Sequence, residues 1–427
     1  MKSHFISHVK IEGLWGDKSF SIPFFDNVNV IIGPNASGKT TIINILMYAL
    51  TGNLSRLFEY AFDSVEITLT SFANKKKLNV RIAQTNDKCT FEIGGKSVPL
   101  PPVGNFSAFL SQSSPAQLAG FRRHFSMEFS AIRTQLAGLV PAAWLPVSRR
   151  LPITEEDEED RKISRRSNLE SVDECLSQLL SLLRNYRISL DSTLSELRKE
   201  FQKHALENIL YDKSHDAMPD FVDFPPLTEN DKTRLLEAFR DVGLADKEIE
   251  ARVDGHFDAA EKALEQLRIR PNSLPLSTVF VIPLIHRTKQ MLVFAKQLEE
   301  ERMKLFAPLN LYQQTINDFM GTNKILTVTS KGDLNIDQSP KRRDLNWRLM
   351  SSGEKQLLIL LTQALVYEKD PVVYVADEPE LSLHVTWQER LLKAITSLAG
   401  RCQLIVATHS PDIAGAFPDN IIDLGRL

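Results

Sequence analysis

The fold is decided by the stretch Gly33-Pro34-Asn35-Ala36-Ser37-Gly38-Lys39-Thr40, which Thr41 follows. It matches the pattern G-x-x-x-x-G-K-[ST] and has the neighbours that this pattern needs. A β-branched run at 28–32 predicts a strand before it, and 41–50 predicts a helix after it, closed by Gly52. The two glycines allow a tight turn whose N–H groups converge on phosphate oxygens, and the helix adds the positive end of its dipole. The stretch therefore predicts a phosphate-binding loop.

Two residues of this loop would carry its chemistry. The Lys39 ammonium is placed to bind between the β- and γ-phosphates of a nucleotide, and the Thr40 hydroxyl is placed to bind Mg²⁺. The alternative is a glycine-rich turn between strand and helix that binds no ligand. The rest of the sequence has to decide between the two.

The composition is that of an ordinary globular protein. The chain has 427 residues, enough for two or three domains, with 43% apolar and 25% charged residues. A net charge of -3 gives no general attraction to nucleic acid, so such a contact needs a local basic patch. Cys89, Cys175 and Cys402 are too far apart to indicate a disulfide framework or a zinc site. We expect a reducing, cytoplasmic setting, and no apolar run is long enough to cross a membrane.

Strand patterns lie on both sides of a helical middle region. In the first part of the chain, strands are predicted at 4–14, 20–24 and 28–32, with an antiparallel meander over 64–98. In the last part, strands are predicted at 325–329, 334–336, 372–377 and 404–408. We therefore predict an N-terminal lobe at 1–153, a helical insertion at 154–322 and a C-terminal lobe at 323–427.

The helical insertion contains two heptad-like stretches. In the first, apolar residues recur at steps of three and four, at Leu169, Val172, Leu176, Leu179, Leu183, Tyr186, Leu190, Leu194, Leu197 and Phe201. The second alternates in the same way between Leu284 and Phe319, with polar interruptions. With a helical tip between about Pro225 and Arg268, the two stretches predict an antiparallel coiled-coil arm. The alternative is a compact helical bundle.

A second candidate anion site lies at the start of a helix near the other end of the chain. The sequence there is Met350-Ser351-Ser352-Gly353-Glu354. The serine hydroxyls and the N–H of Gly353 would face an anion at the helix N-terminus. Taken alone, the motif fits an ordinary serine cap equally well.

Three polar residues follow buried strands. Asp377 ends the apolar run 372–376, where an acid is costly without a cation, so it is a candidate Mg²⁺ ligand. Glu378, the next residue, would orient or deprotonate an attacking water, unless both acids are simply exposed in a turn. His409 follows the strand at 404–408 and would face a ligand crevice, although a lone histidine is more often structural.

Together these motifs resemble those of the ATP-binding-cassette (ABC) ATPases. The resemblance implies an α/β phosphate-loop NTPase head, a mixed sheet with an antiparallel meander and an inserted coiled-coil arm, which uses ATP and Mg²⁺ and releases ADP and phosphate. By this resemblance Lys39, Ser351, Glu378 and His409 are catalytic, residues 33–41 and 351–354 bind ATP, and Thr40 and Asp377 bind Mg²⁺. It also implies a homodimer or higher oligomer, in which the 351–354 loop of one copy completes the nucleotide site of the other.

Finer features select a branch of that family. Asp-Glu-Pro-Glu-Leu-Ser-Leu-His at 377–384 and Ala-Thr-His-Ser-Pro at 407–411 are similar to the RecF- and OLD-type ATPases. Within these, the chain is most similar to the ATPase subunits of two-gene anti-phage defence systems such as PARIS and Septu. That resemblance implies a separately encoded effector nuclease and a phage trigger protein as partners.

Other interpretations remain open at the level of sequence. One is a DNA-repair or DNA-tethering ATPase, with phosphate contacts from Lys341-Arg342-Arg343 and Arg149-Arg150. Another is a scaffold that binds ATP and hardly hydrolyses it. The glutamine that reports the nucleotide state in ABC ATPases has only weak candidates here, Gln112 and Gln135.

Overall fold

The computed structural model of the protein describes residues 4–85, 88–100, 130, 132–145, 168–210, 227–241, 243–244, 246–269, 275–338 and 343–426. The chain divides into two compact units. We call Met1–Arg184 with Leu311–Leu427 the head, and Asn185–Asn310 the helical unit. The first predicted domain boundary lies outside the described residues, and the predicted domain ranges stay a prediction.

A parallel sheet lies at the centre of the head. Its strands are β3 (Val28–Ile32), β8 (Ala142–Trp144), β12 (Val372–Asp377), β13 (Cys402–Ala407) and β14 (Ile421–Asp423). They are arranged in the order β14-β3-β13-β12-β8, and each neighbouring pair is parallel. Apolar side chains dominate β3, β12 and β13 because strands covered on both faces bury nearly every residue. The loops after these three strands therefore meet at one edge of the sheet.

The predicted antiparallel meander is present as part of a second sheet. Its strands are β1 (His4–Leu14), β2 (Lys18–Pro23), β4 (Ser64–Ser71), β5 (Lys77–Thr85), β6 (Lys88–Ile93) and β7 (Lys96–Leu100), in the order β2-β1-β4-β5-β6-β7. Gly94 and Gly95 between β6 and β7 have φ values of 56° and 84°, as a two-residue hairpin turn requires. A small third sheet contains β9 (Lys324–Val328), β10 (Leu334–Gln338) and β11 (Arg343–Asp344).

The helices include α1 (Lys39–Thr51), α2 (Leu54–Leu57), α3 (Asn168–Glu207), α4 (Glu229–Asp241), α5 (Lys247–Ile269), α6 (Leu276–Met320), α7 (Ser352–Val366), α8 (Val385–Leu398) and α9 (Pro411–Gly415). α1 is the predicted helix after the phosphate loop, and it ends at Gly52, whose positive φ lets its N–H bond back to Tyr48. One continuous core joins Leu46 of α1 to Ile67 of the antiparallel sheet and Val375 of the parallel sheet. The loop before α1 is thus held on both sides by well-packed structure.

A buried amide also joins the two large sheets. Gln403 of β13 is fully buried; its side-chain oxygen accepts from the N–H of Ile6 at 2.8 Å, and its nitrogen donates to the carbonyl of Ile6 at 2.7 Å. Ile6 lies at an irregularity of β1, before the first residue that pairs with β2. Gln403 therefore satisfies backbone groups that the antiparallel sheet leaves unpaired in the core.

The predicted antiparallel pairing of two long helices is confirmed within the helical unit. Arg187 of α3 lies over the ring of Phe306 of α6 at 4.6 Å, and further along, His204 stacks on Phe294. Partners in α6 move back along the sequence as those in α3 move forward, so the helices run in opposite directions. The predicted α3 seam from Leu176 to Phe201 is buried, apart from a half-buried Leu197. The helical tip is present as α4 and α5.

The seam predicted for α6 is wrong at its first position. Leu284 is 48% exposed, whereas Ile285 and Ile282 are buried. Ile285 packs with Ala260 and Ala263 of α5. The heptad pattern misses this because the face of α6 that becomes buried here is set by contact with α5, which the spacing within α6 does not report.

Candidate functional site

The phosphate loop joins β3 to α1 and curls around a lysine. Lys39 is 5% exposed, and its Nζ donates to the carbonyl oxygens of Gly33 at 2.8 Å and Pro34 at 3.1 Å. Ala36 and Gly38 have φ values of 62° and 98°, so the loop alternates between right- and left-handed backbone and turns its N–H groups inward. The predicted loop geometry is therefore present around Lys39.

Several features of the loop fit a bound triphosphate. Lys39 has no ion pair within 4 Å among the described residues, and its ammonium donates to two backbone carbonyls. The Ser37 hydroxyl is buried in the loop and has no hydrogen-bond partner among those residues. A Cβ on Gly33 would lie 2.8 Å from that hydroxyl oxygen and would fill the inside of the loop. A polyanion would supply the missing negative charge and acceptors.

Asp377 meets the phosphate loop through Thr40. Burial is the main cause that raises the pKa of Asp377, and repulsion from Glu378 and Glu380 raises it further. A hydrogen bond from the Thr40 side chain and the nearby Lys39 charge act in the opposite direction. A carboxylate and a hydroxyl held together beside a phosphate site are the donors that Mg²⁺ takes when phosphates supply further oxygens. Thr40 and Asp377 lie together beside the phosphate loop, and their binding of Mg²⁺ stays a prediction.

No larger metal cluster accompanies this pair. In the part of the chain that the structure describes, no group of three or more His, Cys, Asp or Glu residues could hold a metal ion.

Glu378 and His409 lie side by side beyond the ends of β12 and β13. The N–H of Glu378 donates to the carbonyl of Ala407 at 2.7 Å, which fixes the backbone of one strand end against the other. Glu378 Oε1 lies 3.9 Å from His409 Nε2, and the two side chains are 36% and 41% exposed. Because both reach solvent at the edge of the sheet, they can meet an attacking water and a terminal phosphate.

Strained backbone is concentrated around this edge. The residues other than glycine with positive φ include Trp15 (58°), Ala36 (62°), Glu378 (51°) and Ser382 (69°). Each such conformation costs about 1–3 kcal/mol and persists only where the surroundings enforce it.

The predicted second anion site is a helix cap. Ser351 accepts at Oγ from the N–H of Glu354 at 3.3 Å and donates its own N–H to Glu354 Oε2 at 2.8 Å, which is a capping box at the start of α7. Burial raises the pKa of Glu354, but hydrogen bonds from Lys324 and Ser351 outweigh it, so the pKa is lowered. Glu354 is therefore a charged structural residue within its own chain.

Ser351 and Ser352 are not bonded to the phosphate loop in the described parts of the chain. No hydrogen bond or ion pair in the described parts of the chain joins 351–354 to 33–41. Gly353 is needed for packing, since a Cβ there would collide with the carbonyl oxygen of Ser382. Ser351 and Ser352 remain exposed, and as an N-cap that accepts at Oγ, Ser351 still has its hydroxyl proton to donate.

Trp15 and Glu380 are site residues that the sequence analysis missed. The Trp15 ring borders the loop, since a Cβ on Gly38 would lie 2.9 Å from its Cη2, and it is 46% exposed. Glu380 accepts at Oε1 from three donors in 408–410. Neither lies in a spacing pattern that signals such a contact. The nucleotide-sensing candidates stay predictions: Gln112 lies outside the described residues, and Gln135 is exposed in a helix at 132–139.

The fold and this site define a phosphate-loop ATPase of ABC type. A family model described as "AAA ATPase domain" matches residues 5–414, and the chain belongs to that family. The family is described as one of ATPases, so the reaction expected of this chain is the conversion of ATP and water to ADP and phosphate. No described helix is both long and apolar enough to cross a membrane.

Individual relatives carry less information about this chain than the family model does. The chain is 38% identical over 55 residues, 13% of its length and 6% of the relative, to the "DNA double-strand break repair Rad50 ATPase" of Methanopyrus kandleri. It is similar to the Smc head domain with an extended coiled coil bound to the C-terminal domain of ScpA from Pyrococcus furiosus (14% identity, 98% and 93% of the chains covered, TM-score 0.43). It is also similar to the SMC head domain from Thermotoga maritima (14%, 96% and 91%, 0.38). These TM-scores are too low to add to the fold described above.

Proposed function

We propose that ATP binding draws two copies of this chain together, with the Ser351 loop of each copy completing the nucleotide site of the other. The observation that carries the proposal is the exposed start of α7, which no bond in the described structure joins to the phosphate loop of its own chain. A helix N-terminus with a free hydroxyl proton attracts an anion. The γ-phosphate held by a second copy is the anion that such a site would meet.

Within the composite site each residue has one task. Lys39 binds the β- and γ-phosphates, and the backbone N–H groups of 33–38 surround them. Glu378 orients the attacking water and accepts its proton, while His409 holds the terminal phosphate beside it. The partner's Ser351 donates to the same phosphate. Mg²⁺, when bound by Thr40 and Asp377, would neutralise charge on the phosphate oxygens.

Light scattering with and without ATP tests this proposal on the wild type and on Glu378→Gln, together with phosphate release. The variant keeps the size of the side chain but cannot accept the proton, so we expect at least about a 100-fold loss of hydrolysis. We also expect an ATP-stabilised dimer or larger assembly that persists longer than in the wild type. A wild type and variant that both stay monomeric with saturating ATP would refute the composite site.

Two control variants sharpen the experiment. Lys39→Met should abolish ATP-dependent assembly together with hydrolysis, because the phosphates lose their cation. Glu389→Gln makes the same chemical change as Glu378→Gln on an exposed residue of α8, and it should leave both properties unchanged.

For the biological role, we propose that this nucleotide-dependent assembly senses phage infection and holds or releases a separately encoded effector nuclease. The motifs at 351–354, 377–384 and 407–411 support this through their resemblance to two-gene defence ATPases. The test is co-expression with the product of the neighbouring gene during phage infection. A complex or toxicity that depends on Glu378 supports the role, and the absence of both throughout infection contradicts it.

The second candidate is an ATPase that tethers or repairs DNA. The segment similar to a Rad50 ATPase favours it. In this case the ATP-closed dimer would grip duplex DNA, and log Kd would depend steeply on log salt. Among the residues proposed as phosphate contacts, only Arg343 lies within the described structure. Binding to DNA that is the same with and without ATP would count against this candidate.

A further inference from the structure

Glu380 is a half-buried acid to which the proposed hydrolysis assigns no direct role. It lies two residues after Glu378, in the segment between β12 and α8, and its side chain points to the end of β13. Oε1 accepts from the Thr408 hydroxyl at 2.5 Å, from the N–H of His409 at 3.0 Å and from the N–H of Ser410 at 3.2 Å. One carboxylate oxygen thus binds three consecutive residues around the histidine of the site.

The turn that carries Glu380 is itself anchored to the catalytic acid. The N–H of Leu381 donates to the carbonyl of Glu378 at 3.1 Å, and the N–H of Glu378 donates to Ala407. Glu378 and Glu380 are therefore parts of one tight turn, whose first acid faces the ring of His409 while its second acid holds the His409 backbone.

A second set of hydrogen bonds supports the same arrangement. The Ser410 hydroxyl donates to Gln388 Oε1 at 2.7 Å, and Gln388 Nε2 donates to the carbonyl of Leu383 at 3.0 Å. Ser410 also donates its N–H to the Thr408 hydroxyl at 2.9 Å. Segment 408–410 is thus joined to segment 378–383 by bonds on both sides of His409.

We propose that Glu380 is a positioning residue for ATP hydrolysis, which fixes the distance between Glu378 and His409 by holding the backbone at 408–410. The reason is geometric, because Glu378 and His409 lie in different loops and their side chains are 3.9 Å apart. A shift of about 1 Å in the position of a catalytic group can lower the rate about 100-fold. Among the described residues, no hydrogen bond or ion pair joins Glu380 to segment 33–40, so we expect its loss to act mainly on the rate of hydrolysis.

The test is a double-mutant cycle between Glu380→Leu and His409→Ala, with kcat, KM and the Kd for ATP measured for each variant. We expect Glu380→Leu to lower kcat about 100-fold in the wild-type background, with KM and Kd changed less than about threefold. In the His409→Ala background the same change should cost less than about threefold, because the residue it positions is gone. Glu380→Gln keeps an acceptor oxygen at the same reach and should restore kcat to within about tenfold of the wild type.

Two further variants test whether the loss of kcat comes from the hydrogen bonds of Glu380 and not from the loss of any carboxylate. Thr408→Val removes one of the three donors and little volume, so it should show a smaller loss of kcat, about 3- to 10-fold, with the same dependence on His409. Glu389→Leu removes an exposed carboxylate from α8 and should leave kcat unchanged.

Equal losses of kcat in both backgrounds would overturn the proposal, and so would a raised KM with an unchanged kcat. His409→Ala with full activity would overturn it as well, because His409 would then have no role to position. The inference rests on the proposed roles of Glu378 and His409 but not on the dimer. A non-additive cycle in a protein that stays monomeric with ATP would support Glu380 while refuting the composite site.

Discussion

The head and the helical unit differ in how their own buried residues are packed. In the head, one continuous core connects α1 with both large sheets, and the buried Gln403 amide bonds to the backbone of Ile6. In the helical unit, buried residues form smaller clusters, including ones around Phe201, Leu235 and Ala260, which share only Met291 and Leu227 as partly buried neighbours. A large shared core couples distant residues, whereas small clusters open one at a time. The candidate site lies in the head, where a continuous core keeps the distances between its residues fixed.

Truncation of one buried leucine in each unit should give the largest difference in stability between the head and the helical unit. Leu46→Ala in α1 removes a fully buried side chain of the head and should cost about 3–5 kcal/mol, whereas Leu292→Ala in α6 should cost about 2–3 kcal/mol. Trp15, Trp144, Trp347 and Trp387 all lie in the head, so tryptophan fluorescence in urea reports on that unit. Circular dichroism at 222 nm reports on helices of both units.

We expect Leu46→Ala to move the fluorescence transition and Leu292→Ala to move chiefly the circular-dichroism transition. If both variants shift both signals equally, the two units unfold as one block, and the contrast drawn between them is wrong.

The head should be the unit that loses stability at alkaline pH. Burial raises the pKa of the Cys175 and Cys402 thiols from 9.0 to about 11, and it also raises the pKa of Tyr312 and Tyr374. The unfolded chain then loses its thiol protons first, so stability is complete below about pH 9 and falls as the pH rises to about 11. Each thiol contributes up to about 2–3 kcal/mol.

Urea unfolding followed by fluorescence at pH 7, 9 and 10.5 measures this loss. The double variant Cys175→Ala, Cys402→Ala should lose less stability between pH 9 and 10.5 than the wild type does. An identical alkaline loss in the double variant would assign the effect to other groups, such as the two tyrosines.

The helical unit should instead be sensitive to acid, and to a smaller degree. Burial lowers the pKa of His256, whose Nε2 lies 2.7 Å from the Thr288 hydroxyl oxygen of α6. The unfolded chain therefore takes up this proton first, and stability that is present above about pH 6.5 is lost as the pH falls through the folded-state pKa. Hydrogen exchange of α5 and α6 at pH 7 and 5 measures the effect.

His256→Gln should reduce the acid-induced increase in exchange, while the control His204→Gln should not. An unchanged pH dependence in His256→Gln would show that another group controls the acid response of this unit.

The sequence predicts most of what is local in this protein. The phosphate loop, the strand before it and the helix after it follow from short patterns, because a strand that ends in a loop carries its own signal. The roles of Thr40 and Asp377 stay predictions. The burial of α3 follows in the same way from its heptad spacing. Where a neighbouring helix determines which face is buried, as α5 does at Leu284 and Ile285, the heptad pattern predicts the wrong face.

The parts of the site that the sequence does not predict depend on backbone turns and on distant partners. Trp15 borders Gly38 and lies in the turn after β1, where its own φ is positive. Glu380 is read in sequence as part of a resemblance motif, and nothing in the spacing from 380 to 408 indicates that one oxygen holds three residues there. Such contacts arise when two strand ends are brought side by side, which requires the whole sheet.

The strand order of the parallel sheet has a consequence for how the protein is made. β3, which carries the phosphate loop, has only β13 and β14 as neighbours, and the Gln403 amide that holds Ile6 lies 397 residues further along the chain. At about 5–20 residues per second, a ribosome needs roughly 20 to 80 seconds to bridge that interval. During this time a hydrophobic strand and its loop exist without the partners that order them. The nucleotide site therefore forms only after β13 and β14 have been synthesised, and the nascent chain has to be kept from aggregating until then.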